Sequence, residues 1–140
     1  MNATSSIELP ARLDQLHAFM EFVISFASKH GFTGSTLQNI ELCMEEALVN
    51  IFSYAYPDAP GSTKVECVFK NGEFMIKIRD RGVAFNPLTV QSADVQTNLA
   101  TGRIGGYGII LIKRLTSDVR YERSHDENIL TMVFAGKKNL

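Results

Sequence analysis

The stretch Lys64-Val-Glu-Cys-Val-Phe-Lys-Asn-Gly-Glu-Phe-Met-Ile-Lys-Ile-Arg-Asp80 reads as a β-hairpin, and the rest of the chain is arranged around it. Val65, Cys67 and Phe69 alternate with Glu66, Val68 and Lys70, the period-2 pattern of a strand with one buried face. Asn71-Gly72 is the strongest two-residue hairpin signal, because both positions of a type I′ turn need positive φ. Phe74, Ile76 and Ile78 restore the alternation on the return strand, and Asp80 emerges from its end.

Upstream of the hairpin the period lengthens. After a short extended start, Ile7-Glu-Leu-Pro10, residues 12 to 30 place Leu13, Leu16, Phe19, Met20, Val23 and Phe26 at helical spacing, and Gly31 stops them. A second helix is expected from Ser35, a plausible cap, to about Tyr56. Leu37, Ile40, Met44, Ala47, Leu48, Ile51 and Ala55 form its core stripe, while Leu42, Cys43 and Val49 are expected on the other side beside Glu46 and Asn50. Pro57, Pro60 and Gly61 end it.

Downstream, residues 88 to 101 are polar and small with no sustained period, and a structureless stretch of that length in a compact domain is functional or disordered. A lid is expected over about 88–105. Tyr107 to Leu115 follows as a third helix, with Ile109, Ile110, Leu111 and Ile112 expected inward. Val119–Arg123 and Ile129–Phe134 then pair across a turn at His125-Asp-Glu-Asn128. The order helix, helix, hairpin, lid, helix, hairpin gives an α+β fold: a two-layer α/β sandwich with helices on one face of a mainly antiparallel sheet.

The chain has 140 residues, 45% of them hydrophobic, which suits one compact domain over 1–140 with its core at about 7–134. Net charge is −1 and Lys and Arg are scattered, so nothing predicts nucleic-acid binding. No segment reaches the roughly 18 apolar residues that span a bilayer, and Met1-Asn-Ala-Thr-Ser-Ser6 lacks the pattern of a signal peptide. The expectation is a cytoplasmic protein with no membrane partner. Cys43 and Cys67 form no CxxC pair and read as core fillers. His17, His30 and His125 are isolated from metal-ligand spacing, and Ser124-His-Asp126 cannot make a triad from adjacent turn residues.

The residues that carry chemistry lie elsewhere. Glu46 and Asn50 are four apart, so on a helix they share a face; Glu can take a proton, and the Asn carboxamide oxygen suits Mg²⁺. Asp80 supplies an acceptor where a strand stops, and Gly82 lets the backbone turn and approach a flat ligand closely. Gly102-Arg-Ile-Gly-Gly-Tyr-Gly108 opens an apolar helix, whose unpaired N–H groups favour phosphate.

In this order, Glu46-Ala-Leu-Val-Asn50, Asp80-Arg-Gly-Val-Ala-Phe-Asn-Pro87 and Gly105-Gly-Tyr-Gly-Ile109 resemble the three nucleotide boxes of the Bergerat-type, histidine-kinase-like ATPases. The size, and the ending Val119-Arg-Tyr-Glu with Leu130-Thr131, look like the bacterial anti-sigma regulatory factor serine-protein kinases within that superfamily. The resemblance implies ATP and Mg²⁺ as cofactors, Glu46 as general base and Asn50 as Mg²⁺ ligand. It further implies Asp80 as acceptor of the adenine amino group, Gly82 beneath the base, and Thr131 as a hydroxyl beside that carboxylate through water. Gly105, Gly106 and Gly108 would wrap the phosphates, and Arg103 would meet the γ-phosphate. As partners it implies a small antagonist protein as phosphorylation substrate, a sigma factor or other regulator to sequester, and a homodimer. Tyr54 stands where members of this group commonly have His, and Ala84 where the second box often has Gly. Tyr54 keeps open a nucleotide-gated binding switch without phosphoryl transfer. A detached histidine-kinase catalytic domain is a further alternative, against which stands the lack of a preceding helical hairpin with a phosphoacceptor His.

Overall fold

A computed structural model describes residues 2–89 and 107–136. Most of the expected lid, with Arg103, Gly105 and Gly106, lies outside the described residues. The described elements are β1 (Ala3–Pro10), a 3-10 turn (Leu13–Gln15), α1 (Leu16–Lys29), α2 (Gly34–Tyr54), β2 (Ser62–Lys70), β3 (Glu73–Asp80), a second 3-10 turn (Pro87–Thr89), α3 (Tyr107–Leu115), β4 (Asp118–Ser124) and β5 (Glu127–Ala135). The strands form a five-stranded sheet in the order β1-β2-β3-β5-β4, with every neighbouring pair antiparallel. This is the expected α+β architecture. β1 is longer than its sequence pattern suggests, because at an edge only Ile7 and Leu9 need turn toward the core, and the polar run before them pairs through backbone alone.

One face of the sheet carries the core. Val65 and Cys67 of β2, Ile76 and Ile78 of β3, and Leu130 and Met132 of β5 are buried against Phe19 and Val23 of α1, Ile40, Met44, Ala47 and Leu48 of α2, and Ile112 of α3. Two corrections concern the helices. Cys43 belongs to this core and does not lie on the opposite side of α2, while Leu42 lies off the core stripe and is exposed. In α3 Ile109 and Ile112, three apart, are buried, whereas Ile110 and Leu111 face outward, as a single helical face requires. Both cysteines are free, and burial pushes each thiol up to about 12, with the charge of Glu46 adding at Cys43 and that of Glu66 at Cys67. No helix among the described residues is long and apolar enough to cross a membrane.

Register sets the chemistry of the two ends of the sheet. At the Asn71-Gly72 turn, where φ is +53° and +80°, the inward row is Phe69, Phe74 and Phe134. Phe74 stacks on Phe26 with centroids 5.7 Å apart and also meets Phe32 and Phe134, which closes an aromatic end to the core. Six residues further along the same strands the inward row is Thr63, Asp80 and Asn128, with Arg123 beyond them on β4.

Candidate nucleotide site

Asp80 is the last residue of β3 and is only 3% exposed. Its Oδ1 accepts the Gly82 N–H at 2.9 Å and an Asn128 Nδ2–H at 2.8 Å, which leaves Oδ2 without a hydrogen bond among the described residues. Burial pushes its carboxyl above the ordinary 3.8. The hydrogen bonds from Asn128 and Gly82 and the charge of Arg123 pull the other way, and Glu127 opposes ionisation. The chain therefore keeps a buried acid at a strand end and spends two N–H donors to hold one of its oxygens.

The connection after Asp80 is pinned against the end of α2. Val83 N–H donates to the Ala55 carbonyl at 2.8 Å, and a Cβ on Gly82 would come within 2.1 Å of that oxygen. Gly82 is thus required by a close approach between loop and helix. Tyr56 ties down the neighbouring residue: its hydroxyl accepts the Arg81 N–H at 2.8 Å and donates to the Ser62 carbonyl at 2.7 Å. From the other side Arg123 donates to the Gly82 carbonyl at 2.8 Å. Further along, the half-buried Phe85 packs on Tyr54 at 5.1 Å between centroids, and Asn86 Oδ1 accepts the Leu88 N–H at 2.9 Å, closing the 3-10 turn.

Asn128 is the partner of Asp80 that the sequence did not reveal. The expected turn at 125–128 places it in a loop. The observed turn is only His125-Asp126, with φ of +53° and +62°, so β5 starts at Glu127 and Asn128 enters the sheet opposite Asp80. A two-residue turn was the signal available, but His-Asp is a poorer advertisement for positive φ than Asn-Gly. The same registration corrects Thr131. It pairs with Lys77 and Arg120 on the face away from the helices, so it does not stand beside Asp80, whose inward neighbours are Thr63 and Asn128. Thr63 is fully buried, and its hydroxyl has no hydrogen-bond partner among the described residues.

Glu46 and Asn50 both lie on α2, one turn apart, as expected. Asn50 is 5% exposed and Glu46 half-buried, whereas Glu45 is exposed. Asn50 precedes Ala55, against which the Gly82 loop is seated, by about 7.5 Å of helix rise. Gly108 is the second residue of α3. No group of three or more His, Cys, Asp or Glu among the described residues could cage a metal ion.

Comparison with known proteins agrees with this fold. Residues 9–134 match the family model described as the histidine kinase-like ATPase domain. The serine-protein kinase RsbW of Listeria monocytogenes is 22% identical over the whole of this chain and 92% of its own length. The serine/threonine-protein kinase BtrW of Bordetella bronchiseptica is 30% identical over 66% of each chain. Among solved structures, that of the RsbU and RsbW domains of a Mycobacterium tuberculosis protein superposes with a TM-score of 0.67 at 15% identity, covering 95% of this chain and 32% of that one. The SiaB–SiaC complex of Pseudomonas aeruginosa superposes with a TM-score of 0.60 at 11% identity, covering 93% and 88%.

Proposed function

Since this chain belongs to the histidine kinase-like ATPase domain family, we propose that it is an ATP-dependent protein serine/threonine kinase of the anti-sigma-factor type. It phosphorylates a Ser or Thr of a small antagonist protein, and it sequesters a sigma factor or similar regulator when that antagonist is phosphorylated. The names of its relatives support the kinase reading, and the SiaB–SiaC complex is a case of this fold joined to a partner protein. The observation that carries the proposal is Asp80, a buried carboxylate at the end of β3 with Oδ1 tied and Oδ2 left as an acceptor among the described residues, next to a loop seated on the end of the helix of Glu46 and Asn50.

Asp80 Oδ2 accepts the adenine amino group, and the closely packed Gly82 loop forms the wall beneath the base. Asn50, with its buried carboxamide, would hold Mg²⁺, which when bound offsets the charge of the phosphates. The first turn of α3, with Gly108, would turn its N–H groups to a phosphate. Glu46 accepts the proton of the attacking hydroxyl. Phosphoryl transfer depends mostly on positioning and electrostatics, so this small set of groups suffices.

Tyr54 supports a second reading. It is 39% exposed and packed at a tilt on Phe85, where an aromatic contact takes the place of the common His. On that reading the protein is a nucleotide-gated partner switch that transfers no phosphate. Incubating the protein and a partner captured from native cytosol with Mg·ATP, followed by mass spectrometry, separates the cases. Phosphoserine or phosphothreonine on the partner supports the kinase, an unmodified partner the switch, and phosphohistidine neither.

A further inference from the structure

Building on the reading of Asp80 as the group that meets a base, we infer that Asn128 is a positioning residue for base selection. It holds Asp80 as an acceptor with one oxygen presented, and so favours a 6-aminopurine over a 6-oxopurine.

Asn128 spends the whole hydrogen-bonding capacity of its amide inside the protein. Nδ2 donates to Asp80 Oδ1 at 2.8 Å and to the Val83 carbonyl at 2.8 Å. Its Oδ1 accepts the Phe85 N–H at 3.2 Å and the Tyr121 hydroxyl. Two donors and two lone pairs meet four partners, which exhausts a carboxamide. The amide cannot turn over either. Flipped, its oxygen would face a carboxylate and a carbonyl, and its NH₂ would face an N–H; only the phenol could adapt. At 4% exposure water cannot repair such a mismatch, so an N–H is all that Asn128 offers Asp80.

The consequence lies at the other oxygen. With Oδ1 taken by Gly82 and Asn128, Oδ2 is the oxygen left to a ligand, and an ionised carboxylate there is an acceptor only. A 6-amino group brings a donor to it, whereas a 6-oxo group brings lone pairs against lone pairs. A protonated Asp80 would reverse the preference. The charged and titratable groups that act on it are Arg123 from β4, Glu127 from β5 and Tyr56 from the chain just after α2. Tyr121 acts through Asn128, and the N–H of Asn128 is the contact that any carboxyl substituted at this position would abolish.

Asn128→Asp replaces that donor by a second carboxyl at hydrogen-bond distance, and two carboxyls so placed share a proton. The experiment follows the Asp80 carboxyl carbon by NMR against pH in ligand-free wild type, Asn128→Asp and Tyr121→Phe. It also titrates ATP and ITP into each by calorimetry at pH 6 and pH 8. In Asn128→Asp the Asp80 midpoint is expected to rise by about one pH unit or more, and the ATP-over-ITP preference to fall about tenfold at pH 6 with partial recovery at pH 8. Tyr121→Phe removes one anchor of the amide without touching Asp80, and it serves if Asn128→Asp does not fold. It is expected to lower the preference by about threefold. An unchanged Asp80 midpoint and an unchanged preference in the folded variants overturn the role of Asn128 while leaving nucleotide binding in place. A wild type that binds neither nucleotide overturns the adenine reading of Asp80, and base selection with it.

Discussion

The same three strands carry two rows that differ in every physical respect. At one end Phe69, Phe74 and Phe134 sit opposite one another and merge into the aromatic core; at the other Thr63, Asp80 and Asn128 occupy equivalent inward positions. The apolar row is held by area and shape, which tolerate repacking. The polar row is held by direction: each donor of Asn128 has one acceptor, and removing it strands several groups at once. The comparison shows that one sheet carries opposite chemistries at its two ends, with the polar row at the end where the loop after β3 meets the end of α2.

The largest effect should come from breaking the polar row. Asn128→Leu leaves the Val83 carbonyl, the Phe85 N–H and the Tyr121 hydroxyl unpaired and takes one donor from Asp80, so unfolding in urea is expected to show a loss of roughly 3–5 kcal/mol. Phe134→Leu in the apolar row should cost only about 1–2 kcal/mol, since most of the buried area survives. Equal losses would mean that the two ends do not differ in kind.

Asp80→Asn tests function against stability at one position. Adenine-nucleotide affinity is expected to fall by roughly 2–4 kcal/mol in calorimetry, because one acceptor of the carboxylate becomes a donor facing the base. Stability should move the other way. Burial raises the folded pKa of Asp80 above 3.8, so the folded state binds the proton more tightly than the unfolded chain. The stability contributed by this group is present at low pH and is lost as pH rises through the folded value. Thermal melts of Asp80→Asn should therefore lie at or above wild type at about pH 7 and converge with it toward about pH 4. A lower melting point at neutral pH would show that the ionised carboxylate holds the loop in place.

The turns sharpen the comparison at smaller scale. His125 and Asp126 hold φ of +53° and +62° without glycine, so the double change His125→Asn with Asp126→Gly is expected to stabilise by about 1 kcal/mol. Gly72→Ala at the aromatic end should destabilise by about the same amount, since φ there is +80°. Urea midpoints at unchanged slope measure both. The smallest effect belongs to Thr63→Val, which removes a buried hydroxyl without a partner among the described residues and should raise stability by up to about 1 kcal/mol. A clear loss would reveal a hydrogen bond from Thr63 in solution.

Much of the frame was legible because it rests on local chemistry. Asn71-Gly72 and the alternation on both sides of it gave the β2–β3 hairpin and its inward face, and the stripe from Ile40 to Ala55 gave the core side of α2. Asp80 and Gly82 stood out by type and by position at a strand end. The reason for Gly82 did not, since the Ala55 carbonyl that forbids a side chain there comes from 27 residues upstream. In the same way Ile110 and Leu111 share the composition of buried residues, and only the packing of α3 on one face turns them outward.

By itself, then, the sequence determined the elements, their order, the antiparallel sheet with its helical layer, and the carboxylate at the end of β3, because periodicity, turn residues and residue type act within a few positions along the chain. Only the tertiary structure decided which residues stand beside that carboxylate. A turn shorter than the sequence suggests carries Asn128 into β5 opposite Asp80, and pairing directs Thr131 to the far face. Side-chain direction in a strand has a period of two, so the partner of Asp80 is fixed by register between strands 48 residues apart, and no local propensity encodes that count.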